Sequence, residues 1–255
     1  MASPTDIPPV DPRRSPGTPA WWSARGDVPR RGRPAVDSLH IVKTALRLVD
    51  ERGVQSFSLR LLAEELGSGT ATLYRHFATK GDLLAHVVDE VLGEVDAPSA
   101  GTSTRGDQRA WRDVLADVGE QLYATLRRHP DVVPLLMGVV PVGPHALARR
   151  ERALSALLAC GLPVDLAARA FTAVGHYVIG FVLQQPGRGG ATEDGPELAA
   201  FYGALDPRDH PATVRAAEAL TSVPADEEFR FGLDLLLDGL ERRHDAHAAP
   251  DAPGI

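Results

Sequence analysis

The sequence predicts an all-α fold in which a small N-terminal three-helix unit precedes a larger helical domain. Aromatic residues make up only 5% of the 255 residues, so Leu, Val and Ala must supply most of the core. Leu and Ala favour helices over strands. Apolar residues recur at helical spacing from about residue 37 onward, whereas no segment shows the convincing alternation of a half-buried strand.

The overall composition is that of a globular protein, with 44% hydrophobic and 24% charged residues. The single cysteine, Cys160, excludes an intrachain disulfide and a cysteine-cluster metal site, and its apolar flanks indicate a packed small side chain. No apolar run reaches the roughly 18 residues of a membrane span, and the Pro-rich start lacks the apolar core of a signal peptide. We therefore expect a cytoplasmic protein with no membrane partner.

Residues 1–36 are predicted to form a disordered basic N-terminal arm. Prolines recur through this segment without apolar periodicity. It carries six Arg and three Asp, a net charge of +3 in a chain whose net charge is −7. The adjacent Trp21 and Trp22 are unusual in such an arm. We interpret them as a chance hydrophobic contact with the folded body, with a functional clamp as the alternative.

Residues 37–96 have the pattern of a compact helical domain. The second helix follows the N-cap residue Ser58, and Gly67 after it is able to adopt the positive φ that ends a helix. A tight turn between the second and third helices is the geometry of a helix-turn-helix. The first predicted helix begins at Asp37 and ends before Gly53. The second runs from Leu59 to Leu66, and the third runs from Thr70 to Phe77. The fourth begins after Thr79 and continues through Leu92.

After a polar linker at 98–106, residues 107–243 are predicted to form a second, mostly helical domain. The apolar spacing predicts helices at 109–128, 144–160, 164–185, 211–221 and 227–243. The stretch from Gln185 to Pro207 is rich in glycine and is predicted to be a mobile loop. Residues 244–255 are predicted to be a disordered tail.

The short third helix has the composition of a helix that contacts DNA bases. Leu73 and Phe77 lie four residues apart and can anchor it to the domain. Small and polar side chains can approach base edges without obstruction, and a methyl group can touch a thymine methyl. The outer face is predicted to carry Thr70, Ala71, Thr72, Arg75 and His76.

Positive charge on both sides of this helix supports a DNA partner. Lys80 begins the fourth helix, whose free backbone N–H groups suit a phosphate. Arg60, in the first turn of the second helix, is placed to bind a guanine or a phosphate. The arginines at 30, 31 and 33 are able to enter the minor groove as a flexible arm, so we include Arg31 and Arg33 among the DNA-contacting residues.

Two segments of the first domain carry a family resemblance. Residues 61–67 (LLAEELG) and 72–77 (TLYRHF), followed by Lys80 and Leu83-Leu84, resemble the N-terminal domain of the TetR family. The sequence departs from the family pattern at Ser68 and Gly69, where a valine and a polar N-cap are usual. Residues 173–177 and 231–241 are similar to the C-terminal domain of tetracycline repressors. The resemblance implies these DNA-facing positions: Arg60, Thr70, Ala71, Thr72, Tyr74, His76 and Lys80.

The resemblance implies a ligand-responsive transcriptional regulator, namely a repressor that a small hydrophobic effector releases from a near-palindromic double-stranded DNA operator. It also implies a homodimer, because the family pairs the helices at 164–185 and 227–243 with their copies. The alternatives are a transcriptional activator and a ligand-independent architectural DNA-binding protein. We expect no enzyme, since the histidines are scattered and no nucleophile motif or phosphate loop occurs.

The effector site is expected to be mostly apolar. The resemblance places His176 and Gln184 at ligand-contacting positions, although His176 can also be interpreted as a core histidine bonded to a backbone carbonyl. Tetracycline repressors hold a magnesium chelate partly through a glutamate at the position of Gln184. A neutral amide is a poor ligand for this cation, so we expect no metal, no cofactor and no tetracycline–magnesium binding. The remaining predicted contacts are Met137, Phe171, Tyr177 and Phe181.

Overall fold

The computed structural model describes residues 15–24, 38–95, 110–137, 139–185 and 195–248. These ranges contain α-helices, one 3-10 helix at Pro130–Leu136, and no strand. The predicted all-α fold is therefore confirmed for the described residues. The helices are α1 Pro19–Ala24, α2 Ser38–Arg52, α3 Leu59–Glu65, α4 Thr70–His76, α5 Lys80–Gly93, α6 Ala110–Arg128, α7 Pro144–Ala159, α8 Val164–Gln184, α9 Gly195–Gly203, α10 Pro211–Ala216 and α11 Ala225–Ala248.

Helices α2 to α5 lie within two residues of their predicted bounds, and side-chain caps mark the starts of α3 and α5. The Ser58 side chain accepts a hydrogen bond from the Leu61 N–H at the start of α3. The Thr79 side chain accepts one from the Asp82 N–H at the start of α5. Each cap satisfies one of the N–H groups that the first turn of a helix leaves without a partner.

The prediction of disorder for residues 1–36 is wrong at residues 15–24. Thr18 caps α1 by accepting a hydrogen bond from the Trp21 N–H at 3.3 Å. Trp21 is only 2% exposed. Burial of an indole ring stabilises a segment whose prolines favour a disordered chain, and the sequence pattern does not show this long-range contact. The rest of the predicted arm, including Arg31 and Arg33, lies outside the described residues.

Three further predictions differ from the structure near the C-terminus. The predicted loop at 185–207 contains α9, because Pro196 is tolerated in the first turn of a helix and the residues at 197–200 (ELAA) are good helix formers. Helix α10 ends at Ala216, earlier than predicted. Helix α11 begins at Ala225 with three acidic residues in its first turn and extends to Ala248, so the predicted disorder after His244 is wrong as far as residue 248. The remainder of the tail and the whole predicted linker at 98–106 lie outside the described residues.

The described residues divide into two compact units: those within 1–97 and 131–152 form one, and those within 98–130 and 153–255 form the other. The predicted boundaries at 37–96 and 107–243 assign residues 131–152 to the second domain, whereas the structure packs them with the first. The reason is Asp89 of α5, whose carboxylate accepts hydrogen bonds from the N–H groups of His145 at 3.2 Å and Ala146 at 3.0 Å. This carboxylate caps α7 from a neighbouring helix.

The core of the second unit lies between α6, α8 and α11. Val118 and Leu122 of α6, Val174 and Val178 of α8, and Leu233 of α11 are buried there. The phenol of Tyr177 donates a hydrogen bond to the Phe229 carbonyl at 2.9 Å. Its hydroxyl lies so close to Gly232 that a Cβ at this position would overlap it. The α8–α11 contact therefore depends on a glycine.

Helix α8 carries more apolar surface than its packing in this core requires. By length and composition alone this helix could cross a membrane, which is also true of core helices in soluble proteins. Only 28% of its most apolar stretch of 18 residues is buried within the chain. Much of its apolar surface thus lies open in the single chain.

We predict that Gly232→Ala destabilises the second unit by about 1–3 kcal/mol, because the new methyl group must displace the hydrogen-bonded Tyr177 ring. Chemical denaturation monitored by circular dichroism measures the change. Gly203→Ala is the matched control, since a Cβ at Gly203 meets no atom within 4 Å. Equal stabilities of the two variants would contradict the prediction.

Candidate nucleic-acid interface and effector site

The turn between α3 and α4 has the geometry of a helix-turn-helix. Gly67 ends α3 with a φ of +57°. The Ser68 N–H donates to the Ala63 carbonyl at 2.9 Å, and the Gly67 N–H donates to the Glu64 carbonyl at 3.1 Å. This pair of bonds is a Schellman motif, which satisfies the last carbonyls of α3. The departures at Ser68 and Gly69 therefore leave the turn intact, although Gly69 caps α4 without a side-chain hydrogen bond.

Helix α4 presents a mostly small and polar face to solvent. Leu73 and Phe77 are buried and anchor the helix. Thr70, Ala71 and Tyr74 are exposed, whereas Thr72 and His76 are half-buried. The neighbouring Arg75 is also exposed, and its guanidinium donates to the Thr72 hydroxyl at 3.3 Å. The predicted recognition positions of α4 thus lie on one short helix with their side chains mainly open to a partner.

Arg60 lies on the surface at the start of α3, with 85% of its side chain exposed. Its Nε donates to Glu64 Oε1 at 2.9 Å. An exposed ion pair of this kind contributes little free energy, so a phosphate is able to replace the carboxylate at small cost.

Lys80 has a structural role that the sequence pattern does not show. Its ammonium donates to the carbonyls of Val54 at 3.1 Å and Phe57 at 2.6 Å, and it lies 5.5 Å from the centre of the Phe57 ring. The side chain therefore ties the start of α5 to the segment between α2 and α3. An ammonium has three N–H donors, and these two carbonyls use two of them. A phosphate contact by Lys80 therefore stays a prediction.

In the second unit, two of the six predicted effector residues lie in an aromatic cluster. Tyr177 and Phe181 of α8 lie 5.6 and 5.5 Å from the ring of Phe229, measured between ring centres. Tyr123 of α6 stacks on the same ring at 3.8 Å. We define the aromatic cluster as these four residues. Tyr123 and Phe229 are not among the predicted effector residues, and the signal that the sequence offers for them is the rarity of aromatic residues in this chain.

The phenols of the aromatic cluster are hydrogen-bond donors at neutral pH. Burial, together with a hydrogen bond to Asp226 at 2.8 Å, raises the pKa of Tyr123 to about 12. Burial also raises the pKa of Tyr177. Tyr123 therefore stays protonated and orients the Asp226 carboxylate, which also pairs with Arg127.

A surface groove of about 620 Å³ adjoins the aromatic cluster. Tyr123 and Phe229 form part of its wall, and charged residues form much of the rest, so it is more polar than the predicted effector site. These charged residues are Asp117, Glu120, Arg127, Arg128, Asp226 and Arg230.

The other predicted effector residues do not join the aromatic cluster. His176 is exposed on the face of α8 that also carries Thr172 and Leu183, which argues against a core histidine. Gln184 is exposed near the end of α8, and Phe171 is half-buried. Met137 is exposed and belongs to the first unit. Among the described residues, no group of three or more His, Cys, Asp or Glu side chains is placed to hold a metal ion.

Two family models match the chain. Residues 41–87 match the model described as bacterial regulatory proteins of the tetR family, and residues 105–244 match the tetracyclin repressor-like C-terminal domain. The HTH-type transcriptional repressor DrrR1 of Streptomyces coeruleorubidus is 31% identical over 231 residues, which cover 85% of this chain and 82% of the relative. The class A tetracycline repressor from transposon 1721 of Escherichia coli is 27% identical over 210 residues, 80% of this chain and 89% of the relative.

Solved structures extend the similarity to the whole fold. Apo ActR of Streptomyces coelicolor superimposes with a TM-score of 0.72 at 29% identity and covers 86% of this chain and 100% of its own. ActR in complex with actinorhodin gives a TM-score of 0.71 at 30% identity, covering 82% and 98% of the two chains. The helical architecture of both units is thus shared with these proteins.

We predict that Lys80→Met lowers the stability of the first unit by about 1–3 kcal/mol, because it removes the donor of two backbone carbonyls. Thermal and urea unfolding measure this loss. Lys43→Met is the matched control, since the Lys43 side chain is exposed and pairs with Glu90 at 3.7 Å, and we expect a change below about 0.5 kcal/mol. A Lys80→Met variant as stable as the unmodified protein would refute the structural role and leave only the phosphate contact.

Proposed function

The chain belongs to the TetR family of bacterial regulatory proteins, and we propose that it represses transcription until a small, mostly hydrophobic effector releases it from its operator. Members of this family are DNA-binding transcriptional regulators that respond to ligands, and this chain is one of them. The repressor role, the operator symmetry and the effector class are the parts that we propose.

The exposed face of α4 is the observation that carries the DNA-binding function. The seven-residue helix follows a Schellman turn, and the buried side chains of Leu73 and Phe77 anchor it to the domain. The small and polar side chains on the other face of the helix point outward. Such a helix fits the major groove and brings Thr70, Ala71, Thr72, Tyr74 and His76 to base edges. We assign phosphate contacts to Arg60 and Lys80, and minor-groove contacts to Arg31 and Arg33, which lie outside the described residues.

We propose that the functional form is a homodimer. Phe231 and Leu235 lie one turn apart on α11 and are 66% and 55% exposed, and Leu183 is exposed on α8. An apolar surface of this kind on two long helices favours association with a copy of itself. In a two-fold symmetric dimer, the separation of the two copies of α4 would be about one turn of DNA or a small multiple of one turn. Two symmetric copies of a recognition helix require a near-palindromic operator.

We propose that the effector is an aromatic molecule that binds the second unit at the aromatic cluster. Aromatic rings bind apolar planar groups, and the phenols of Tyr123 and Tyr177 add polar anchors. The related ActR has been crystallised with actinorhodin. Contacts from His176, Gln184, Phe171 and Met137 stay predictions. The amide of Gln184 still argues against a tetracycline–magnesium chelate.

Helix α7 offers a path by which the effector acts on DNA binding. Its first turn belongs to the first unit, where Asp89 of α5 caps it, and its last turn belongs to the second unit. A shift of this helix is therefore transmitted to α5, which follows the recognition helix in the chain. Coupling free energies of about 1–3 kcal/mol are typical and change operator affinity by about 5- to 150-fold.

The alternative roles have less support. A ligand-independent architectural protein does not account for a second domain of the tetracycline-repressor type. The family is one of regulators, so we propose no enzymatic activity, and we place the protein in the cytoplasm with the bacterial DNA. An activator differs from a repressor in where its operator lies relative to the promoter, which footprinting determines.

We predict that Tyr74→Ala weakens operator binding by about 10-fold or more while leaving stability within about 0.5 kcal/mol, because the side chain is exposed. Gel shifts on a duplex from immediately upstream of the protein's own gene, or on one selected from random DNA, measure the affinity. Tyr202→Ala in the second unit is the matched control and should bind like the unmodified protein. Failure of the unmodified protein to select any duplex would refute the proposed function.

We predict that Leu235→Glu converts a dimer into monomers at micromolar concentration, because dimerisation would bury the new carboxylate. Analytical ultracentrifugation measures the change. Val164→Glu is the control, since Val164 is exposed at the first position of α8, where an acidic residue suits the helix dipole. Sedimentation of the unmodified protein as a monomer would exclude the proposed dimer.

A further inference from the structure

The segment at residues 15–24 packs along α5 and has no role in the function proposed so far. Trp21 is the centre of this contact, because its indole N–H donates to Asp82 Oδ1 at 3.0 Å. Gly17 adopts a φ of +83° and lies against Ala85, and the Pro16 ring packs on Gly81. We call residues 15–24 the N-terminal strap.

The acceptor of the Trp21 hydrogen bond, Asp82, lies in the first turn of α5 and contacts the turn that joins α4 to α5. Asp82 is 4% exposed, and its second oxygen accepts a hydrogen bond from the Ala78 N–H at 3.1 Å. The Asp82 N–H donates to the Thr79 hydroxyl at 3.0 Å. One buried carboxylate thus connects the strap to the backbone that directly follows the recognition helix.

A second path leads from the strap to α4 through aromatic rings in tilted and edge-to-face contact. The rings of Trp21 and Trp22 lie 5.5 and 4.8 Å from the His86 ring on α5, measured between ring centres. The His86 ring in turn lies 5.3 Å from Phe77, which ends α4 and anchors it. The strap therefore supports the recognition helix from behind, on the side opposite to its exposed residues.

We propose that the N-terminal strap is a positioning element of the DNA-reading unit. Its Trp21, hydrogen-bonded to Asp82, sets the orientation of the recognition helix. This proposal rests on the DNA-binding function. Trp21 itself is buried and touches no DNA, so it acts through the α4–α5 turn. The affinity of a short helix for the major groove depends on how rigidly it is held, because freedom that is lost on binding reduces the affinity.

The test compares two buried tryptophans. Trp21→Phe keeps an aromatic ring but removes the indole N–H, whereas Trp111→Phe makes the same change in the second unit, where Trp111 is 1% exposed. Both variants are measured on the duplex that the unmodified protein selects from random DNA. We expect Trp21→Phe to bind about 10-fold more weakly, because a hydrogen bond to a charged group is lost, and Trp111→Phe to bind normally. The salt dependence should stay unchanged, since no phosphate contact is removed.

Two further variants separate positioning from loss of folding. A double-mutant cycle of Trp21→Phe with Asp82→Asn should show non-additive losses of affinity if the hydrogen bond is responsible. In a Trp22→Phe, Trp111→Phe background, the emission of Trp21 should be blue-shifted and protected from acrylamide. Unchanged operator affinity in folded Trp21→Phe, or a solvent-exposed Trp21, would overturn the proposal. Absence of DNA binding by the unmodified protein would instead overturn the proposed function.

Discussion

A recognition helix of seven residues is too short to be stable in isolation, and this constraint shapes the whole first unit. Its stability comes from its neighbours: Leu73 and Phe77 bury its inner face, and Gly67 provides the left-handed turn that precedes it. The outer face is consequently left mainly exposed to solvent. The side chains there are able to vary with the operator while the scaffold stays the same.

Helix α5 links the elements that surround the recognition helix. Lys80 binds the carbonyls of the α2–α3 segment, Asp82 binds both the α4–α5 turn and Trp21, and Asp89 caps α7. These three charged side chains lie along one helix and each satisfies backbone or indole groups of a different neighbour. A displacement of α5 therefore disturbs several hydrogen bonds at once, which favours a few discrete arrangements over continuous bending.

The second unit combines an aromatic cluster with exposed apolar surfaces. The aromatic cluster packs α8 against α6 and α11, and Gly232 allows the close approach of Tyr177 to α11. Helices α8 and α11 also carry the exposed Leu183, Phe231 and Leu235. The packing within one chain and the proposed dimer contact thus use different faces of the same helices. In the proposed function, the effector acts on one face and the second copy occupies the other.

The sequence by itself determined the all-α class, the helix-turn-helix and most helix ends, because caps, glycines and apolar spacing act within a few residues of where they stand. It also placed Tyr177 and Phe181 in the second unit. Only the tertiary structure decided that Trp21 is buried on Asp82, that Lys80 faces carbonyls, and that residues 131–152 pack with the first unit. These contacts join residues up to 61 positions apart, and their free energy depends on burial and hydrogen-bond geometry that no local pattern encodes.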